Sequence, residues 1–265
     1  MSATNQIKAR PLNDCSVLIT GGTSGVGLAT AIQFALAGTL KITINGRNVE
    51  RGEAARLQVL ERAPSAQVYF VAGDCNSPEG ARKVCESAKS LMGSIDVLVN
   101  STVGPAGPRL LHLTPLEALS DILIDQAMAP ILTSRLVLPW MAERGGGAIV
   151  NIASDAGKLP TPGESVIGAA MAAIMMFTRT LALEGSRNGI RANTVTPSII
   201  EGTATHDRMM NDEFAGKLFG KAKQMARLGV ANAGDLAALI VFLSSPEAAK
   251  ISGQAISCNG GISFA

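Results

Sequence analysis

The chain is poor in aromatic residues and contains a single tyrosine, Tyr69, in 265 residues. Phenylalanine, tryptophan and tyrosine together make up 3% of the sequence, which does not favour the aromatic platforms on which nucleic-acid bases stack. The net charge of +2 does not indicate a strongly basic surface either. We therefore predict that the protein does not bind nucleic acid.

Patterns typical of metal sites and membrane spans are also missing. Four cysteines form no CxxC pair, which predicts free buried thiols and no metal site: Cys15, Cys75, Cys85 and Cys258. The longest apolar stretch, 166–177, is shorter than the roughly 20 residues that a bilayer-spanning helix needs. Segment 1–14 is polar and lacks the apolar core of a secretion signal. These features predict a cytoplasmic protein without membrane association.

Short apolar runs of strand type alternate along the chain with segments long enough for helices. The runs are 16–20, 41–45, 67–72, 95–100, 148–152, 190–195 and 254–258. Such alternation predicts a parallel sheet with helices on both faces. We expect an α/β fold of the Rossmann type, a doubly wound parallel sheet of about seven strands. We also expect residues 1–265 to form a single domain.

A glycine-rich turn follows the first predicted strand, with Gly21, Gly25 and Gly27 in the sequence TGGTSGVG, and a helical pattern begins at Leu28. Glycines permit a tight turn and let backbone N–H groups approach a pyrophosphate at the positive end of the following helix. Taken alone, the turn also fits an ordinary strand-to-helix loop. Its place in the alternating chain favours a dinucleotide site, because ligands bind beyond the carboxyl ends of parallel strands.

The chain resembles the short-chain dehydrogenase/reductase family over nearly its whole length. Five segments carry the resemblance in the family's order: the glycine turn at 20–27, the acidic turn at 72–74, the serine-bearing strand at 149–157, the sixth strand at 189–197 and the carboxyl-terminal segment at 252–261. The resemblance implies an oxidoreductase that binds NAD(P) and a small-molecule substrate.

The resemblance also implies a set of cofactor-binding residues at the carboxyl ends of the strands. The set is Gly21, Thr23, Ser24, Gly25, Val26, Gly27, Arg47, Asp74, Asn100, Pro197 and Thr203. NAD-selective relatives carry an acidic residue after the second strand, whereas Gly46 and Arg47 stand here. Because a guanidinium suits a ribose 2′-phosphate, we predict NADP(H). NAD(H) is the alternative, in which Arg47 is a solvated loop residue.

Most of the catalytic residues that the resemblance implies are replaced. The family has a tyrosine thirteen residues after its serine and a lysine four residues later, but Ile167 and Met171 stand at these positions. The family's helix asparagine aligns with Gln126, and its NNAG turn reads NSTV from Asn100. The implied catalytic residues are therefore Ser154 and Gln126, in a degenerate tetrad. Loss of a positioned general acid reduces a rate by about 10²- to 10⁴-fold.

Several side chains near the predicted site are candidates for the missing proton donor. They are Ser154, Asp155, Lys158, Glu164, Ser165, Glu201 and His206. Asp155 and Glu164 also fit carboxylates that satisfy N–H groups at a helix start, and Lys158 fits a solvated loop cation. His206 lies in segment 201–225, which in this family covers the substrate.

Two functions follow from these features. The first is an NADP(H)-dependent oxidoreductase that acts on a small carbonyl, alcohol or enoyl substrate with a non-standard proton donor. Some relatives that reduce enoyl thioesters also dispense with the tyrosine. The second is a catalytically silent relative that acts as a dinucleotide sensor or an oligomer subunit, which the loss of both relay residues favours. Because the family pairs the helix containing 168–176 across a dimer interface, the resemblance implies a homo-oligomer, either a dimer or a tetramer.

Overall fold

The computed structural model describes residues 9–265. Seven strands form one sheet in the order β3-β2-β1-β4-β5-β6-β7, and all neighbouring strands run parallel. The strands are β1 Ser16–Thr20, β2 Lys41–Gly46, β3 Gln67–Ala72, β4 Val97–Asn100, β5 Gly147–Ile152, β6 Ile190–Thr196 and β7 Ala255–Ser257. The predicted Rossmann-type parallel sheet is confirmed.

Helices cover both faces of the sheet. Those of the described residues are α1 Gly25–Leu36, α2 Val49–Arg62, α3 Pro78–Met92, α4 Ala118–Glu143, α5 Ser165–Gly185, α6 Ala204–Met210, α7 Glu213–Met225 and α8 Ala233–Ser244. Side chains of α1, α2 and α8 share one apolar cluster with the sheet, and side chains of α3, α4 and α5 share another. The two clusters are the two cores of a three-layer α/β structure.

The central strands send alternate side chains into these two cores. In β1, Val17 and Ile19 belong to the core that contains Phe34 of α1, while Leu18 belongs to the core that contains Met92 of α3. All five side chains are buried. Burying one such side chain stabilises the fold by about 1.5 to 3 kcal/mol, which explains why a central parallel strand reads as a continuous apolar run.

Two helix starts differ from the sequence prediction. The helix after the glycine turn begins at Gly25 rather than at Leu28. The Thr114-Pro115 pair predicts the cap and first turn of a long helix. Because His112 directly precedes this predicted cap, we assign it no functional role. In the structure, however, α4 begins at Ala118. The Thr114 hydroxyl donates to the Leu110 carbonyl at 3.2 Å, so it closes the preceding 3₁₀ turn instead of capping α4.

Two helices are long and apolar enough to cross a bilayer by length and composition alone, Ala118–Glu143 and Ser165–Asn188. The second helix contains the apolar run at 166–177, which by itself is too short to cross a bilayer. The helix continues beyond that run. The buried shares of their most apolar windows are 39% and 50%, respectively. Because core helices of a soluble fold have the same character, these two helices do not define a membrane protein.

The strand order places a crevice beside β1. From β1 the chain moves outward to β2 and β3 and then returns to β4 on the other side of β1. At the carboxyl ends of this pair, Thr20 lies in register with Asn100. In doubly wound sheets, ligands bind outside such a change of direction. The glycine turn and the segment after β4 both lie at this point.

Candidate active site

The glycine turn after β1 has no room for side chains at two positions. Gly21 has a φ of +65°, and a Cβ on it would lie 2.4 Å from the Ser101 carbonyl oxygen. A Cβ on Gly27 would lie 2.3 Å from the Gly21 carbonyl oxygen. Both obstacles are backbone atoms, which cannot rotate away. The turn therefore keeps the backbone surface that a pyrophosphate needs for close approach.

The amino terminus of α1 faces this turn. Ser24 occupies the N-cap position, and its side chain makes no capping hydrogen bond. The first-turn N–H groups thus keep their capacity for an anion, which the helix dipole also favours. Thr23 packs its side chain against Gly46 at the end of β2, where a Cβ would lie 2.6 Å from Thr23 Cγ2. Position 46 therefore has little room for a side chain.

Two charged residues extend the site along the ends of β2 and β3. Arg47 is exposed, and within residues 9–265 its side chain makes no hydrogen bond or ion pair that would hold it elsewhere. Asp74 is also exposed, and its Oδ1 accepts from the Asn76 N–H at 3.0 Å. Both side chains can reach a ligand lying across the strand ends.

Asn100 is buried at the carboxyl end of β4. Its Oδ1 accepts from the hydroxyls of Thr20 at 3.0 Å and Thr133 at 2.8 Å, and its Nδ2 donates to Asn151 at 2.9 Å. The side chain is 1% exposed and does not line the neighbouring cavity. Asn100 therefore holds β1, β4, β5 and α4 together, which fixes the geometry of the strand ends.

A cavity of about 420 Å³ opens beyond the carboxyl ends of β4, β5 and β6. Val26 of the glycine turn lines one side of it, and Ser154 at the end of β5 lines another. Its outer wall is largely apolar and includes Leu159, Pro162, Met209, Leu218, Phe219 and Met225. Such a wall suits the apolar part of a small organic ligand.

The cavity brings together the two predicted catalytic residues and the two apolar replacements. Ser154 Oγ accepts from the Ala156 N–H at 3.2 Å, and Gln126 Oε1 accepts from the Gly104 N–H at 3.4 Å. Ile167 and Met171 are 8% and 6% exposed and line the same space. Among the described lining residues there is no tyrosine, lysine or arginine. Neither a phenol nor an ammonium is therefore available in this wall.

Pro197 and Thr203 join the cavity to the glycine turn. The Pro197 carbonyl accepts from the Asp155 N–H at 2.9 Å, which ties the loop after β6 to the end of β5. The Thr203 hydroxyl caps α6, accepting from the His206 N–H at 3.1 Å. A Cβ on Gly25 would lie 3.5 Å from Thr203 Cγ2. The start of α6 thus lies directly over the glycine turn.

Asp155 and Lys158 have different roles from those that the sequence suggests. Asp155 does not serve as a simple helix-start carboxylate: its side chain is buried, and it accepts from Ser257, Asn259 and Ser263. Lys158 is not a solvated loop cation, because its Nζ donates to the Ala255 carbonyl at 2.9 Å and to Ser257 Oγ at 2.8 Å. Desolvation lowers the pKa of Lys158. Both side chains anchor the carboxyl-terminal segment.

Glu164, like Asp155, is a buried carboxyl residue that lines the cavity. It is 8% exposed and occupies the N-cap position of α5, but it makes no capping hydrogen bond, contrary to the expectation of a helix-start carboxylate. Within the part of the chain that the structure describes, no hydrogen bond satisfies its carboxyl oxygens, and neither oxygen is among the fully enclosed polar atoms. Glu164 lines the cavity, and its carboxyl oxygens keep some accessible surface.

Burial changes the protonation of Glu164. Desolvation raises the pKa of this carboxyl from 4.5 to about 7. A shift of that size favours the neutral acid by roughly 3 kcal/mol. The dipole of α5 acts in the opposite direction, but such an interaction contributes about 0.3 to 1 kcal/mol. At neutral pH a large fraction of Glu164 is therefore a carboxylic acid, which is the form that can donate a proton.

His206 lines the cavity from α6. Its Nδ1 lies 3.0 Å from Asp207 Oδ1, and its Nε2 is enclosed without a hydrogen-bond partner among the described residues. Asp207 itself has a side chain that is 71% exposed. The imidazole is thus oriented by a solvated carboxylate, and its second nitrogen has no accessible surface.

The cysteines lie away from this chemistry. All four are free thiols, and Cys15, Cys75 and Cys85 are buried. Burial raises the pKa values of Cys15 and Cys85 to about 12 and also raises the pKa of Cys75, so these thiols are unreactive at neutral pH. Over residues 9–265, no group of three or more His, Cys, Asp or Glu side chains is placed to hold a metal ion.

A glycine turn at a helix amino terminus, beside a cavity at the change of strand direction, defines a dinucleotide-binding α/β protein. The family model for short chain dehydrogenases matches residues 16–213. The chain belongs to the short-chain dehydrogenase family. The resemblance inferred from the five sequence segments is thereby confirmed at the level of the family.

Relatives and solved structures match the chain over nearly its whole length. An uncharacterized oxidoreductase of Mycobacterium tuberculosis is 32% identical over 254 residues, which cover 96% of this chain and 94% of the relative. L-sorbose reductase from Gluconobacter frateurii, complexed with NADPH and L-sorbose, has a TM-score of 0.86 at 32% identity, covering 96% of this chain and 98% of that one.

A third comparison concerns a short chain oxidoreductase from Pseudomonas aeruginosa PAO1, an NADPH-bound structure described as containing an atypical catalytic center. It has a TM-score of 0.87 at 27% identity, covering 96% of this chain and 99% of that one. These relatives agree with the prediction of an oxidoreductase and with NADP(H) as its cofactor.

Proposed function

We propose that the chain is an NADP(H)-dependent oxidoreductase that acts on a small carbonyl, alcohol or enoyl substrate with a non-standard proton donor. The observation that carries this proposal is the shared wall of the cavity: Val26 of the glycine turn and Ser154 at the end of β5 line one space. A dinucleotide held at the turn is thereby adjacent to a substrate held at Ser154. When bound, NADPH supplies a hydride.

The residues present suit the dinucleotide. The side-chain-free surface at Gly21 and Gly27 and the uncapped start of α1 fit a pyrophosphate, and Thr203 is positioned to cover it. Arg47 fits a ribose 2′-phosphate through charge-assisted hydrogen bonds. An acidic side chain at position 46 would collide with Thr23, which supports NADP(H) over NAD(H). We assign Asp74 to the adenine end, with Asn100 and Pro197 shaping the strand ends.

The proton relay is the departure from the family pattern. We infer that Ile167 and Met171 stand where the family has its tyrosine and lysine, since both line the cavity near Ser154. Ser154 and Gln126 remain as polar groups that can orient a substrate oxygen. Because the isoleucine side chain has no exchangeable proton, another group must provide the general acid.

The cavity wall supports an apolar substrate. Its lining includes methionine, leucine, proline and phenylalanine side chains together with polar groups such as Ser154 and Gln126. A ligand with a polar carbonyl and an apolar chain, such as an aliphatic ketone or an enoyl thioester, suits this lining better than a polyol such as L-sorbose. We therefore place the substrate among apolar carbonyl and enoyl compounds.

A catalytically silent protein is the second candidate. The pairing of Ile167 with Met171 supports it, because the two apolar side chains replace both members of a proton relay and pack with Ile174 and Met175. Such a protein would bind dinucleotide as a sensor or serve as an oligomer subunit. The intact strand end at Ser154 and the polar corner of the cavity favour the enzyme.

We further propose that the chain acts as one dinucleotide-binding domain in a homo-oligomer, a dimer or a tetramer. Helix α5 supports this assembly, since Met176 and Leu183 on it are 59% and 76% exposed. Exposed apolar side chains on a long helix fit a contact between copies. The cytoplasmic location remains a prediction.

The test is NADPH oxidation by the full chain, followed at the nicotinamide absorbance with three probes: trans-2-octenoyl pantetheine, 2-octanone and L-sorbose. We expect oxidation with one of the two apolar probes and a lower rate with L-sorbose. Absence of oxidation above the rate without protein for all three probes, in a preparation that binds NADPH, would favour the silent protein.

A further inference from the structure

We propose that Glu164 donates the proton that accompanies hydride transfer in the cavity. This inference rests on the proposed function and names the group that takes over the role of the absent phenol. Glu164 lines the cavity with Ser154 and Ile167, and it lies three residues before Ile167, at the start of the same helix. Residues three apart on a helix are neighbours on its surface, which places Glu164 next to position 167.

The surroundings of Glu164 leave its carboxyl group available to a ligand. No hydrogen bond from another described residue occupies it, and its oxygens are not sealed in the protein. The Arg109 backbone N–H donates to the Gly163 carbonyl at 2.7 Å, but the Arg109 side chain is exposed and exerts no resolved effect on Glu164. A substrate oxygen or carbon is therefore the natural partner of this acid.

The other titratable groups of the cavity are less suited to the role. Asp155 accepts from Ser257, Asn259 and Ser263, so its two oxygens are occupied. His206 lies on α6, and its Nε2 has no accessible surface in this arrangement. Within the described lining, these two residues and Glu164 are the only aspartate, glutamate or histidine side chains.

Protonation state agrees with this geometry. Desolvation holds the pKa of Glu164 near 7, and neither a cation nor a second carboxylate contributes to the shift. A general acid is most effective when its pKa lies near the working pH, because the proton is then both present and transferable. A buried carboxyl group without a partner meets this condition.

The step balances as a two-electron reduction. A hydride passes from NADPH to the electrophilic carbon of a C=O or C=C bond, and the π electrons move to the far atom. The Glu164 O–H bond breaks, and its proton joins that oxygen or carbon. The products are the alcohol or the saturated compound, NADP⁺ and the Glu164 carboxylate. A proton from the solvent then reprotonates the carboxylate, so that one H⁺ is consumed in each turnover.

The experiment compares wild type, Glu164→Gln and a matched control, Glu184→Gln, which removes an exposed carboxylate from the same helix. The activity readout is single-turnover NADPH oxidation with the better of trans-2-octenoyl pantetheine and 2-octanone. We expect Glu164→Gln to lower the rate by about 10²- to 10⁴-fold, as expected for loss of a general acid. The control should stay within about twofold of wild type, and NADPH affinity should remain unchanged in both variants.

A second readout does not depend on turnover. Difference infrared spectroscopy between about pH 6 and pH 8 detects the carbonyl band of a protonated carboxyl group as it ionises. We expect this band in wild type and in Glu184→Gln, and its absence in Glu164→Gln. A wild-type protein that lacks the band already in its spectrum at pH 6 would have an ionised Glu164 at that pH, which overturns its role as donor even in an active enzyme.

The outcomes separate this inference from the proposed function. If wild type oxidises NADPH and Glu164→Gln retains that rate, Glu164 is not the donor while the oxidoreductase function stands. Retention by Glu164→Gln together with loss in His206→Asn would transfer the role to the imidazole. If wild type shows no oxidation with any probe although it binds NADPH, the proposed function fails and the role of Glu164 fails with it.

Discussion

The glycine turn and the Ser154 wall of the cavity differ in how strictly the surrounding atoms determine each residue. At the turn, backbone oxygens lie 2.3 to 2.4 Å from any added Cβ at Gly27 and Gly21, so these positions accept only glycine. At the Ser154 wall, Ile167 and Met171 line the cavity with their side chains while packing against Ile174 and Met175. Cofactor binding is therefore built into the backbone, whereas proton transfer depends on exchangeable side chains.

The largest expected effect concerns the glycine turn, where backbone atoms exclude side chains. Gly27→Ala places a Cβ against the Gly21 carbonyl and should weaken NADPH binding by at least about 100-fold, or ~2.7 kcal/mol. Gly107→Ala is the matched control, since nothing lies within 4 Å of a Cβ at that position. Calorimetric titration of both variants, after circular dichroism has shown that they are folded, measures the difference. Equal affinities in the two variants would show that the turn tolerates side chains.

A second prediction concerns the protonation of Glu164 in the cavity. Because the folded-state pKa of Glu164 is raised to about 7, its contribution to the free energy of unfolding is greatest below about pH 4.5 and is lost as the pH rises through 7. Glu164→Gln should remove this loss and raise the free energy of unfolding at pH 8 by about 2 to 3 kcal/mol relative to wild type. The two proteins should converge near pH 4.5.

Urea unfolding from about pH 4.5 to pH 8 measures this difference, with Glu184→Gln as the control for removal of an exposed carboxylate from the same helix. Parallel curves for wild type and Glu164→Gln across the range would mean that the cavity solvates the Glu164 carboxylate fully. The neutral acid would then be a minor species at pH 7.

A third prediction concerns the charge that selects the cofactor. Arg47→Asp should weaken NADPH binding by about 10- to 100-fold, the range expected when a charge-assisted hydrogen bond of roughly 1.5 to 3 kcal/mol is lost. NADH should gain relative to NADPH, because an aspartate can accept from the ribose 2′-hydroxyl. Competitive titration of the two dinucleotides gives the ratio. An unchanged ratio would remove Arg47 from the site.

The smallest expected effect comes from restoring polar side chains at positions 167 and 171. Ile167→Tyr combined with Met171→Lys restores a phenol and an ammonium at positions that line the cavity. We expect the rate of 2-octanone reduction to increase by about 10-fold. This gain lies below the 10²- to 10⁴-fold range of an optimised general acid because the surrounding wall is apolar. Ile167→Phe with Met171→Leu serves as the control of similar size. An increase in the control as well would assign the gain to packing.

Much of the fold could be predicted from the sequence, because a strand buried on both faces leaves a continuous apolar run. The start of β1 at Ser16 and the start of α5 at Ser165 coincide with the prediction. The predicted start of α4 was wrong. Thr114 and Pro115 are residue types common at helix starts, but here they follow the preceding 3₁₀ turn. A local cap signal does not show which neighbouring backbone group the hydroxyl will bind.

The site was predictable where it depends on backbone order and less so where it depends on burial. The family resemblance implied that Ser154, Gln126, Ile167 and Met171 lie in one site, and all four line the same cavity. The burial of Glu164 depends on segments distant in the chain, so a carboxylate before a helix resembles an ordinary cap. Its place three residues before Ile167 was the one available sign of a role in the cavity.

The most direct test of the account is a calorimetric titration of the full chain with NADPH and, separately, with NADH. The backbone surface at Gly21 and Gly27 and the guanidinium of Arg47 predict saturable binding of NADPH at least about tenfold tighter than NADH, a difference of ~1.4 kcal/mol. No heat from either dinucleotide up to about 1 mM, which corresponds to ~4 kcal/mol of binding free energy, would contradict a cofactor site at this turn.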